Sequence, residues 1–371
     1  MPPLSIMIKP VSGACNMQCQ YCFYADEMRN REQSVYPKMS VEVLETVVRK
    51  AMACAEGSVS FAFQGGEPTL IGLSFFEALV KFEKQYNAQK LQVHNAVQTN
   101  GYDLSDEMLQ FFAREKFLLG VSLDGIEETH DALRTDHLGQ PTYQRIWETT
   151  QRMKKFGVEF NILCVVNAHV AKQAKEVFER LAPFGYVQFI ACLDELDGST
   201  RPYSLTPELY TEFLKTTFDL YYEHFMHGKM VSVRNFDNYV GIILGMPPEN
   251  CSMGGRCSSQ VLIEGDGSVF PCDFYVLDQW KLGNIQTDPL RRMLKSDKVR
   301  AFVEESLPVP EKCRACRWYA LCRNGCKRER GADGVNRWCE CFWGFFAYSI
   351  ERMQKIAQEI AKKEHQNRGP A

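Results

Sequence analysis

The chain has 371 residues, 45 % of them hydrophobic and 24 % charged, a composition able to bury a sizeable core. Its formal net charge of -3 gives no electrostatic reason to expect nucleic acid or an anionic membrane as partner. No run reaches the roughly 20 apolar residues that span a bilayer, and residues 1–10 lack a basic region followed by a long apolar segment, so a cytoplasmic protein is expected.

From the N-terminus, apolar and β-branched runs at residues 4–9, 59–63, 91–98, 117–123, 158–166 and 186–190 read as buried strands. Helical patterns separate them, at 40–55 and 105–115 behind the N-caps Ser40 and Ser105, and at 74–86, 142–156 and 170–181. Strand followed by helix, repeated, implies parallel strands with right-handed crossovers, in an open sheet or a barrel. Polar residues gather where these strands end: Cys15 to Cys22, Gln64 to Pro68, Gln98 to Gly101, Ser122 to Gly125, and Asn167. In parallel α/β folds that rim is where a site is built.

Beyond residue 195 the pattern changes. Thr206-Pro207-Glu208 opens a long aromatic-rich helix reaching about residue 227. From Asn250 onward cysteine, glycine and short turns dominate, and Glu264-Gly265-Asp266-Gly267-Ser268 signals a hairpin. An amphipathic helix over 342–363 and a frayed tail at 364–371 are expected to close the chain. The expected division is 1–235 and 236–371.

Fifteen cysteines in a reducing compartment point to metal or redox chemistry rather than disulfides. Cys54, Cys164 and Cys192 stand singly and read as small buried hydrophobes. Cys15-x3-Cys19-x2-Cys22 offers three thiolates on one loop, one short of the four that close a cubane [4Fe–4S] cluster. One iron would stay open to chelate the amino and carboxylate groups of S-adenosylmethionine (SAM). Zinc, which favours four ligands, fits the triad poorly. Cys251, Cys257, Cys272, Cys313, Cys316, Cys322, Cys326 and Cys339 supply two further four-thiolate sets, with Cys341 as a near neighbour of the last.

With Tyr21 before its last cysteine, the triad resembles the motif of the radical SAM superfamily, and Gly65-Gly66-Glu67-Pro68 after the second strand is a second match. The resemblance implies a partial (β/α)6 barrel. It also implies SAM contacts from Gly65, Gly66, Glu67 and Pro68, and from Ser122, Asp124 and Arg134 towards ribose or carboxylate. Arg134 could instead form a surface salt bridge. The later cysteines resemble the SPASM extension. By that resemblance Cys251, Cys257, Cys272 and Cys326 hold one auxiliary cluster and Cys313, Cys316, Cys322 and Cys339 (or Cys341) another, making three [4Fe–4S] clusters, followed by the C-terminal helix.

Over nearly the whole chain the sequence is similar to the anaerobic sulfatase-maturating enzymes. The carrying residues are Lys9-Pro10, Cys19 to Tyr24, Phe63 to Leu70, Gln98 to Gly101, and Gly267 to Val276. The resemblance implies oxidation of Cys or Ser, in a Cys/Ser-x-Pro/Ala-x-Arg motif of an unfolded sulfatase, to Cα-formylglycine. Asp273 is the implied base, the bland alternative being a turn Asp bonded to local amides. Tyr24 is expected near SAM and Gln64 and Gln98 near substrate, with second-shell packing as the alternative. A flavodoxin or ferredoxin-type reductant and a monomeric enzyme are also expected. Competing readings are a SPASM peptide maturase making thioether, carbon–carbon or epimerised products, and an electron-transfer or scaffold protein. Only fourteen residues precede Cys15, little room for the added peptide-binding domain common among such maturases.

Overall fold

The computed structural model describes residues 3–368. Strands form where apolar side chains alternate or run together: β1 (Leu4–Lys9), β2 (Ser58–Phe63), β3 (Gln92–Thr99), β4 (Leu118–Ser122), β5 (Glu159–Val166), β6 (Tyr186–Ala191), β7 (Ser232–Val233), β8 (Val261–Glu264), β9 (Ser268–Phe270) and β10 (Gly283–Asn284). Among the described residues they make one sheet, in the order β10-β9-β8-β1-β2-β3-β4-β5-β6-β7. From β1 to β7 each pairs in parallel with the next.

Helices return the chain between strands. α1 (Phe23–Arg29) and α2 (Val41–Cys54) follow β1, α3 (Leu73–Tyr86) follows β2, and α4 (Asp106–Arg114) follows β3. The serine caps act as expected: Ser40 Oγ accepts from the Val43 amide at 3.3 Å and Ser105 Oγ from Met108 at 3.1 Å. Edge-to-face rings glue α3 and α4 to the sheet, with Phe76 5.3 Å from Phe63 and 5.2 Å from Phe112. One cavity is lined from β1 through β6, by Met7, Ala62, Gln98, Gly120, Asn161 and Gln188 among others. The sheet therefore curls into a partial barrel around it rather than lying open. No helix among the described residues is long and apolar enough to cross a membrane.

Two features go beyond the sequence expectation. A short β7 and the helix Arg234–Ile243 extend the barrel past residue 190. More consequentially, β8 pairs in parallel with β1, Ile6 opposite Val261 through Lys9 opposite Glu264, so the cysteine-rich segment continues the barrel's own sheet. The expected hairpin is β8–β9, with Leu262 opposite Phe270. The last helix spans Cys339–Arg368, starting before 342 and running through 364–368, where fraying was expected; 369–371 lie outside the described residues. It packs on the helix Pro207–Met226, Phe345 against Phe218 at 5.7 Å.

A buried ion pair ties the two parts together. Arg31 Nη1 lies 3.0 Å from Glu264 Oε1, with side chains 2 % and 0 % exposed, and Arg31 also donates to Ser12 Oγ at 3.2 Å. Breaking such a pair strands a charge in the interior, at a cost of about 3–5 kcal/mol. Glu264→Ala should therefore lower the urea midpoint of anaerobic unfolding markedly; an unchanged midpoint would show that the pair contributes nothing.

Candidate active site at the strand ends

Cys15, Cys19 and Cys22 occupy the loop from β1 into α1, which is laced to the segment after β4. Gln18 N–H donates to the Thr135 carbonyl at 2.8 Å and Gln20 N–H to the Leu133 carbonyl at 2.9 Å. Asn100, at the end of β3, donates to Asn16 Oδ1 at 2.7 Å and approaches Cys15 Sγ at 3.6 Å. The three thiols line the barrel cavity, of about 760 Å³, and so do Cys251, Cys257, Cys272 and Cys326. A second cavity of about 250 Å³ is lined by Cys313, Cys316, Cys322 and Cys339. Cys341 is buried and lies outside that lining, beside Thr211.

All fifteen cysteines are free thiols. Desolvation in the cavity walls pushes Cys19, Cys322 and Cys326 up to about 12. A metal centre that takes up the charge favours the thiolate at such buried positions. Among the described residues no group of three Cys, His, Asp or Glu side chains is placed to hold a single metal ion. Seven motif thiols around one cavity and four around the other fit iron–sulfur clusters in donor type.

Gly65 and Gly66 follow β2 with φ of +83° and +50°. A Cβ on Gly66 would strike the Ala14 carbonyl, and one on Gly65 the stem of Lys9, so only glycine lets this backbone pass beneath the triad loop. Glu67 is turned away from the cavity. Its carboxylate accepts from Thr69 N–H at 3.1 Å and Thr69 Oγ1 at 2.7 Å, from Thr99 Oγ1 at 2.9 Å and from Asn100 N–H at 2.7 Å, bolting β2 to β3. Pro68 starts the short turn behind it. Arg134 is buried rather than at the surface; it donates to Tyr21 Oη at 2.9 Å, and Tyr21 Oη in turn donates to Asp124 Oδ2. The other oxygen of Asp124 accepts from Val165 N–H at 2.9 Å. Gln98 Nε2 donates to Ser122 Oγ at 3.1 Å. Gly65, Gly66, Ser122, Arg134, Tyr24, Gln64, Gln98 and Asp273 thus face one cavity, while Glu67, Pro68 and Asp124 stand behind its wall.

Asp273 begins the turn after β9. Its carboxylate is held by distant side chains: Tyr24 Oη donates at 3.0 Å, Gln64 Nε2 at 2.6 Å, and Lys9 Nζ lies 3.1 Å from Oδ1. Lys9 is 2 % exposed and also lies 4.3 Å from the Tyr24 ring centroid. Burial alone would pull its ammonium down, but the carboxylates of Asp273 and Glu27 hold it well above the usual lysine range. Burial, with Asp273 beside it, holds the Tyr24 hydroxyl protonated far past its ordinary range. Sequence reading gave Lys9 no role in the site, although it lies among the residues that carry the family resemblance and ends an otherwise apolar strand on the functional rim.

Residues 10–181 match the model of the radical SAM superfamily and 251–317 that of the SPASM iron–sulfur cluster-binding domain. The chain is 42 % identical over 369 residues to a cysteine-type anaerobic sulfatase-maturating enzyme of Clostridium perfringens, covering 97 % of this chain and 100 % of the relative. A cysteine-type enzyme of Clostridium novyi is 39 % identical (98 % and 100 % covered), and a serine-type enzyme of Bacteroides thetaiotaomicron 28 % (98 % and 93 %). A solved structure of anSMEcpe with bound AdoMet and the Cp18Cys peptide superposes with a TM-score of 0.93 at 41 % identity, covering 97 % of this chain and all of that one. Streptococcus suis SuiB with its precursor peptide SuiA, at 15 % identity and a TM-score of 0.64 over 91 % and 76 % of the two chains, shares the fold.

The cavity linings separate the two candidate final cysteines. Cys339→Ala should make the second auxiliary cluster lose iron to a chelator more readily, because one of the four thiolates that close it is gone, whereas Cys341→Ala should leave iron retention at the parent level. Metal analysis of the anaerobically purified variants after chelator treatment decides, and the reverse pattern would exchange the two.

Proposed function

The chain belongs to the anaerobic sulfatase-maturating enzymes of the radical SAM/SPASM family, and from that premise we propose how its residues share the oxidation of a sulfatase Cys or Ser to Cα-formylglycine. Cys15, Cys19 and Cys22 would hold a [4Fe–4S] cluster with one open iron. Cys251, Cys257, Cys272 and Cys326 would hold a first auxiliary cluster and Cys313, Cys316, Cys322 and Cys339 a second, three in all. Once bound, the open-iron cluster and SAM supply a 5′-deoxyadenosyl radical able to take a hydrogen from the substrate Cβ. Gly65 and Gly66 offer close backbone approach to the SAM amino group, and Ser122 and Arg134 offer polar contacts from the same cavity lining. Glu67, Pro68 and Asp124 act from behind, fixing the strand ends and, through Tyr21, the triad loop.

Asp273 is the proposed base for the substrate thiol or hydroxyl. The observation that carries this reading is the meeting of its carboxylate with Lys9, Tyr24 and Gln64 in the cavity that the three-cysteine loop lines. A carboxylate is a weak base towards a thiol of ordinary pKa about 8.5, so its contribution rests on alignment. Lys9 supplies the counter-charge, and Tyr24 and Gln64 hold one oxygen in place. Gln98, bonded to Ser122, is placed to meet substrate. The higher identity to cysteine-type relatives supports a Cys substrate in a Cys-x-Pro/Ala-x-Arg segment of an unfolded sulfatase. A flavodoxin or ferredoxin-type reductant in the cytoplasm, and a monomeric enzyme, complete the proposal.

Mass spectrometry of a Cys-x-Pro-x-Arg peptide incubated with reduced enzyme and SAM should show formylglycine, and the Ser peptide less of it; a cross-link, or no change, would displace the reading. Asp273→Asn should still release 5′-deoxyadenosine while peptide oxidation falls by about 10²-fold or more, in the range for a removed general base. Parent-like turnover by that variant would remove Asp273 from the role.

A further inference from the structure

Glu27 lies on α1, its side chain 3 % exposed, and sequence reading gave it no role. Its Oε2 is 3.2 Å from Lys9 Nζ, and its Oε1 accepts from the Val276 amide at 3.2 Å. The same Lys9 ammonium stands 3.1 Å from Asp273 Oδ1. One buried cation therefore faces two buried carboxylates, one of which the reaction leaves unused. Glu27 also reaches both ends of the short helical turn Asp273–Tyr275, the first end through Lys9 and the far end at Val276 directly. A buried carboxylate is costly unless it is paired and hydrogen-bonded, and both oxygens of the Glu27 carboxylate are engaged here, one with Lys9 and one with Val276.

We infer that Glu27 is a positioning residue for peptide oxidation, acting on Asp273 through Lys9 and on the turn that carries Asp273 through Val276. The inference rests on Asp273 being the base.

The charged and titratable groups around Glu27 are Lys9 from β1, Asp273 from the turn and Tyr24 from its own helix; Glu264 on β8 acts on Lys9 and is itself paired with Arg31. Burial pushes the Glu27 carboxyl up to about 7, against the opposing pull of Lys9. Above that pH, ionised Glu27 holds Lys9 between the two carboxylates and so fixes the cation against Asp273. Below it, protonated Glu27 loses its charge pairing with Lys9, and the Asp273 carboxylate loses the fixed partner that aligns it.

The test is formylglycine formed per 5′-deoxyadenosine released by the reconstituted holoenzyme between about pH 6 and 8, a range that brackets the Glu27 transition. The parent ratio should rise several-fold across that range. Glu27→Gln keeps the side chain's size and an acceptor for Val276 but cannot ionise; its ratio should stay low and flat, with iron content unchanged. Glu27→Asp should restore the rise. A Glu27→Gln profile matching the parent overturns the inference. So does a flat parent ratio, which needs no variant and holds even if the substitution disturbs folding. A parent that makes no formylglycine at any pH overturns the functional reading itself, and this inference with it.

Discussion

The pairing of β8 with β1 is the constraint on which the site depends. Four residues of β8 lie in parallel register against the first strand of the barrel. The hairpin that follows sets Cys272 and Asp273 against the ends of β1 and β2. Tyr24 and Asp273 are 249 residues apart in sequence, yet they share a hydrogen bond. Without the strand pairing, the cysteine-rich segment would be an appendage; with it, the segment forms part of the cavity wall.

Around that seam several buried charges are partnered between segments apart in sequence. Lys9 joins Glu27 and Asp273, Arg31 joins Glu264, and Arg134 reaches Asp124 through Tyr21. Buried ion pairs stabilise weakly compared with apolar packing, and losing one member is far more damaging than never having had the pair. Their effect here is geometric: each pair accepts one relative placement of the segments it joins. Glu67 does the same with neutral donors, taking four hydrogen bonds from the turn after it and from the end of β3.

Much of this was legible in the sequence because the signals are local. Ser40 and Ser105 announce their helices through an acceptor one turn from its donor, and the alternating strands announce themselves by composition. The eleven motif cysteines were singled out by spacing and resemblance, and they line two cavities, seven in the barrel and four in the smaller one. What sequence did not disclose is pairing at a distance. β8 is three apolar residues and a glutamate before a turn, with nothing to say that its neighbour is β1. Glu27 drew no attention in the sequence, and its burial against Val276 and Lys9 belongs to the tertiary fold. Asp124, expected to touch SAM, has both oxygens committed to Tyr21 and Val165, which local pattern could not show.

The seam also bears on how the chain comes to be folded as it is made. The barrel strands can pair in the order of their synthesis, each finding the one just before it. β1, however, has one flank that only residues 261–264 can cover. Until those residues leave the ribosome, the first strand built presents an open row of backbone donors and acceptors, a template for pairing with another chain. The growing polypeptide thus carries an open strand edge through more than half of translation, and the arrival of the cysteine-rich segment ends that exposure.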